Sequence, residues 1–195
     1  MDGIIIINKE KGITSFGVVS KIRKIFNTKK VGHCGTLDPN ATGVLPIMIG
    51  NATKISKYLV EHDKEYIATI KFGIKTDSGD SEGNIILEDS FRLDRQNEEL
   101  YKNIILGLVG RQKQVPPMYS AIKVNGKKLY EYAREGKSIE RAEREIEIYS
   151  ICIEKIDYDN NEMTIKVSCS KGTYIRTLCE SIAEQFGTIR IYERT

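Results

Sequence analysis

Little in this chain suits a membrane, a secretory route or a metal centre. The longest apolar run near the start, residues 4–7, is far too short for a bilayer span or the core of a signal peptide. The first eight residues also carry no basic leader. A cytoplasmic protein with no membrane partner is therefore expected. The four cysteines (Cys34, Cys152, Cys169 and Cys179) include no C-x-x-C pair, and only two histidines are present. Zinc ligation has no footing in such spacing, and disulfides do not suit an intracellular setting, so no metal site is expected. Internal repeats and low-complexity tracts are also missing.

What remains is the balance of a globular protein: 40% hydrophobic and 29% charged residues in a chain of 195. That length suits one domain with a substantial core, or at most two small ones, and a single domain over 1–195 is expected. The net charge is only +3, but it is unevenly distributed. Residues 1–60 hold 9 Lys+Arg against 3 Asp+Glu, and 101–144 hold 10 against 4. Residues 61–100 reverse this with 5 against 11, and 145–195 hold 6 against 9. Two basic blocks that fold onto one face would suit a polyanion; a lysine-rich solvated surface is the blander account.

Periodicity places the elements. Residues 4–7 read as a buried strand, and Thr14 or Ser15 caps a helix with Val18, Ile22, Ile25 and Phe26 on one face. Tyr66, Ala68, Ile70 and Phe72 alternate against Thr69 and Lys71 as a half-buried strand, and 76–84 read as an exposed loop. Leu100, Ile104, Ile105 and Leu108 fit one helical face. Residues 146–156 and 163–169 suit paired strands, with Met163, Ile165, Val167 and Cys169 facing inward. Ile175, Leu178, Ile182 and Phe186 suit a last helix closed by Gly187. Strands and helices mix without a regular βαβ repeat, so an α+β fold is expected. Residues 112–144, with Pro116-Pro117 and a dense run of lysines and tyrosines, read as an insertion projecting from the sheet.

Two loops stand out chemically. Residues 32–46 pack three glycines and two prolines around a single acid, Asp38, which Pro39 pushes toward an extended or turn conformation. Such an aspartate can serve as nucleophile or base, or simply close an Asx-turn. His33 in the same loop suits a structural contact, a base or a ring stacked on a nucleobase. In the second loop Arg176 sits at a strand-to-helix junction, placed to pair a carboxylate or phosphate or to lie exposed in the first helical turn. Tyr66 is a strand-edge aromatic or a stacking ring.

Taken together these segments resemble the TruB family of tRNA pseudouridine synthases. Gly32-His33-x-Gly-x-Leu-Asp38-Pro-x-Ala-Thr-Gly-Val-Leu-Pro46 is similar to the family's catalytic loop, and Lys64-x-Tyr66 to its tyrosine segment. Gln114-Val115-Pro116-Pro117-Met118-Tyr119-Ser120-Ala121-Ile122-Lys123 and Gly126-Lys127-Lys128-Leu129-Tyr130-x-Tyr132 resemble its RNA-gripping thumb. Cys169-Ser170-Lys171-Gly172-Thr173-Tyr174-Ile175-Arg176 resembles its second active-site motif. Lys9 departs from the family's opening Lys-Pro pattern, since Glu10 follows it.

The resemblance implies a mixed, largely antiparallel sheet with flanking helices and a basic thumb. It implies isomerisation of uridine 55 in the tRNA T stem-loop without cofactor or metal, by a monomer. Asp38 would be the catalytic aspartate, Tyr66 would stack on the uracil and help remove a proton, and Arg176 would pair with Asp38. His33 would fill the place of the flipped nucleotide, Tyr174 would line the pocket, and Lys64, Lys123, Lys127 and Lys128 would bind RNA. The family commonly continues beyond Gly187 with a further strand and a small C-terminal RNA-binding domain, and no such separate domain is expected within 1–195. A tRNA-binding module without turnover is the alternative.

Overall fold

The computed structural model describes residues 1–59, 62–81, 83–188 and 190–194, the last five by backbone alone. The chain divides into two compact units, residues 1–63 and Lys64–Arg194. Every strand pair among the described residues is antiparallel, in keeping with the expected α+β class.

The first unit contains β1 (Gly3–Lys9), α1 (Ser15–Ile25), β2 (Val31–His33), β3 (Gly43–Ile49) and the short α2 (Ser56–Leu59). Its sheet runs in the order β1-β3-β2. Thr14 caps α1, its hydroxyl accepting the Gly17 N–H at 2.9 Å, as its position before the apolar period predicts. Val18, Val19 and Ile22 of the helix meet Val31, Leu45, Ile47 and Ile49 of the sheet in one core. The isoleucine run of β1 does not form a fully buried strand. Ile5 and Ile7 pack on this core while Ile4 and Ile6 stand 42% and 62% exposed. A strand turns alternate side chains to opposite faces, and only one face of this sheet carries the helix. The 32–46 segment is not wholly loop either: its ends are β2 and β3, joined by irregular residues 34–42.

The second unit begins with β4 (Lys64–Phe72), β5 (Ile74–Thr76), β6 (Ile85–Glu88), α3 (Glu98–Leu106) and β7 (Gly110–Gln114). After these come β8 (Lys123–Val124), β9 (Lys127–Lys128), α4 (Leu129–Arg134), β10 (Arg144–Asp157), β11 (Glu162–Cys169), α5 (Ile175–Gln185) and β12 (Arg190–Arg194). Five strands make the main sheet in the order β12-β4-β11-β10-β7. Ala68, Ile70 and Phe72 of β4 and Met163, Ile165, Val167 and Cys169 of β11 line its inner face, beneath Tyr101 and Ile105 of α3 and Leu178 and Ile182 of α5. Phe186 stacks between Phe72 and Tyr101, with centroids 5.3 and 4.6 Å apart.

Gly187, at φ +75°, follows as the left-handed residue that stops α5. On β10 a register shift between Ile148 and Ser150 lets Ile148 and Ile151 both face inward, a spacing that strict alternation forbids.

Three expected features differ in the structure. Helix α3 buries Tyr101 and Ile105, whereas Leu100 is 54% exposed and Leu108 lies beyond its end. The described residues of the 76–84 stretch are largely half-buried rather than exposed, and Thr76 is a buried residue of β5 whose hydroxyl donates to the Asp80 carbonyl at 2.7 Å. Residues 112–114 belong to β7 itself. The segment 115–143 leaves the sheet there and returns at β10, the strand that pairs with β7.

Candidate active site

In the first unit Asp38 is half-buried on a loop held from beneath by two polar side chains. Ser15, at the start of α1, donates its hydroxyl to the Leu37 carbonyl at 3.1 Å and accepts the Leu37 N–H at 2.9 Å. Lys9, the last residue of β1, is only 1% exposed. Its ammonium donates to the carbonyls of Glu10 (3.0 Å), Ile13 (2.8 Å) and Pro39 (3.0 Å). A third support comes from the Gly12 N–H, which meets the same Pro39 carbonyl at 2.9 Å. The Asp38 carbonyl accepts the Ala41 N–H at 3.1 Å, closing a turn immediately after the acid.

Burial pushes the Lys9 ammonium below its ordinary range, and the negative charge of Asp38 opposes that shift. Lys9 and Asp38 therefore feel each other electrostatically. A buried cation beside the loop favours the ionised carboxylate, the form a nucleophile or base needs.

Sequence reasoning treated Lys9 only as a departure from a pattern. The signal that finds it is the period of two: Ile5, Ile7 and Lys9 share the inward face of β1. His33 lies on β2, with its Nδ1 against the Gly35 carbonyl.

In the second unit Tyr66 is half-buried on β4, in register with Val167 and packed against the main core. Lys64 opens the same strand, opposite Cys169. The β11–α5 connection carries Tyr174 as the residue preceding the helix and Arg176 within its first turn. Gly172, at φ +81°, provides the turn. Arg176 is 7% exposed, unlike an ordinary first-turn arginine. It donates from Nη1 to the Ser78 carbonyl at 3.2 Å and from Nη2 to the Tyr119 carbonyl at 2.6 Å. The structure thus brings together Tyr174, Arg176, the 76–84 loop and the root of the 115–143 segment.

Lys123 is exposed on β8, while Lys127 and Lys128 on β9 are half-buried and already engaged. Lys127 pairs with Glu135 and lies 4.8 Å from the Tyr132 ring centroid. Lys128 and Arg134 flank the Tyr130 ring, each at 5.3 Å. Cations held over aromatic faces give a surface that can meet both phosphates and bases. No described helix is long and apolar enough to cross a membrane.

The model of the TruB family pseudouridylate synthase N-terminal domain matches residues 23–175. The tRNA pseudouridine synthase B of Hydrogenovibrio crunogenus is 48% identical over 189 residues, 97% of this chain. That of Francisella tularensis subsp. tularensis is 49% identical over 187 residues, 96% of this chain. The chain spans 61% of the length of both relatives. Among solved structures, a chain of a Cbf5–Nop10–Gar1 complex superposes with a TM-score of 0.73 at 28% identity, covering 98% of this chain and 46% of its own. On the match across residues 23–175, the chain belongs to the TruB family of pseudouridylate synthases.

Proposed function

We propose that this chain isomerises uridine to pseudouridine in the T stem-loop of tRNA, at position 55, as a cytoplasmic monomer without metal or cofactor. The observation that carries this is the 48% identity to a tRNA pseudouridine synthase B over 97% of the chain. The reaction breaks the C1′–N1 bond, turns the uracil and joins C1′ to C5; the C5 proton then leaves to solvent. Asp38 is the catalytic carboxylate, and Arg176 supplies positive charge that keeps it ionised. The target base must first leave its stack, at a cost of a few kcal/mol. Tyr66 stacks on the extruded uracil, Tyr174 lines its pocket, and His33 occupies the vacated place in the loop. Lys64, Lys123, Lys127 and Lys128 hold the RNA backbone.

The test is tritium release from [5-³H]uridine-labelled tRNA transcript with the chain in excess. Release should depend on Asp38: Asp38→Asn abolishes it while changing RNA affinity by less than about 1 kcal/mol. A variant with near-wild-type rate would remove Asp38 from the mechanism. Salt-sensitive tRNA binding without any release would instead identify an RNA-binding module.

A further inference from the structure

Gln114, the last residue of β7, is 7% exposed, and both ends of its carboxamide are spent on one distant residue. Nε2 donates to the Tyr174 carbonyl at 3.0 Å, and Oε1 accepts the Tyr174 N–H at 2.8 Å. A side chain here makes the paired bonds that a neighbouring strand would make. Tyr174 has extended backbone angles (φ −98°, ψ 110°) just before α5, so no intrahelical partner serves its N–H. Its carbonyl also receives the Leu178 N–H, the first bond of the helix.

The exchange is reciprocal. Two residues past Tyr174, Arg176 returns a bond to the Tyr119 carbonyl, five residues past Gln114. Tyr119 lies where the 115–143 segment folds back on itself: the neighbouring Ser120 accepts the Tyr130 N–H, and Ile122 accepts the Leu129 N–H. The root of the basic segment and the turn bearing Tyr174 and Arg176 are therefore tied at two points.

We infer that Gln114 is a positioning residue for the isomerisation proposed above, holding the backbone of Tyr174 in register and coupling it to the root of the basic segment. The inference rests on that functional reading. A neutral amide is the chemistry the site demands, because Tyr174 presents one donor and one acceptor side by side. A carboxylate offers no donor to the carbonyl, and an apolar side chain offers neither group.

Two variants of the full 195-residue chain test this with T-arm RNA under single-turnover conditions. Gln114→Met removes both bonds at similar length, and Gln114→Glu keeps the acceptor while placing a charge against the Tyr174 carbonyl. At saturating RNA both should lose about 10- to 100-fold in maximal rate, with RNA affinity held within about threefold, as expected for misplaced rather than missing contacts. The Glu variant should recover toward wild type as pH falls, because a protonated carboxyl again offers one donor and one acceptor. The Met variant should show no such recovery.

If the Met variant does not fold, the pH dependence of the Glu variant relative to wild type carries the test. Undiminished maximal rates, a loss confined to RNA affinity, or a Glu variant without acid recovery would each overturn the positioning role. A wild-type chain with no turnover would overturn the functional reading itself, and the positioning role with it.

Discussion

Lys9 is the residue whose removal should be felt most in the first unit. Its ammonium is desolvated yet meets three carbonyls, one of them on the residue after Asp38. Lys9→Met keeps the length and loses every donor, leaving the Glu10 and Ile13 carbonyls without this partner. We expect a loss of roughly 1–3 kcal/mol in urea unfolding. An unchanged midpoint would mean that desolvation of the charge cancels the bonds it makes.

In the second unit, Asp157 closes the β10–β11 turn. Its carboxyl is held down at about 2 from an ordinary 3.8, first by the hydrogen bond from Lys155 and then by the Asn160 N–H. A depressed carboxyl stabilises the fold above its unfolded pKa and stops doing so as pH falls through its folded one. Wild type should therefore exceed Asp157→Asn in thermal midpoint at neutral pH, and the gap should close between pH 3.8 and about 2. A gap independent of pH would place the effect in the turn geometry instead.

At the scale of elements, regular structure follows from short-range rules. The N-cap of α1 is a single hydroxyl on a single amide, so Thr14→Ala should cost about 1 kcal/mol, read by chemical unfolding with helix content as the probe. The inward row of β11 and the buried face of α5 match their periods because their neighbours cover one side completely. Periodicity misjudged α3 by one position. Leu100 and Tyr101 are adjacent, and the partner decides which one is buried: Tyr101 stacks on Phe186 and its hydroxyl accepts the Asp94 N–H. The 76–84 loop was misread for a similar reason, since its polar composition signals a turn but gives no sign that Arg176 donates to the Ser78 carbonyl.

For the whole molecule, charge distribution makes its own prediction. With basic blocks at 1–60 and 101–144, RNA binding should weaken steeply as salt rises from about 50 to 200 mM. Lys123, exposed on β8, should contribute a full phosphate contact, so Lys123→Ala should flatten the slope of log affinity against log salt by about one. Filter binding across that range measures it, and an unchanged slope would remove Lys123 from the interface. Lys127 already pairs with Glu135, which leaves less of its charge to be exchanged for phosphate.

Residue spacing was enough to find β1, β4, β10, β11, α1 and α5, the Thr14 cap, the Gly187 stop, the inward row of β11 and the motifs of the family. Each of these is written in residues a few positions apart. Tertiary structure alone decided what the buried polar side chains hold. Lys9 reaches a carbonyl 30 residues away, Gln114 a peptide group 60 away, and Arg176 carbonyls 57 and 98 away. A buried donor must find an acceptor wherever the folded chain brings one, so no local pattern could have named those partners.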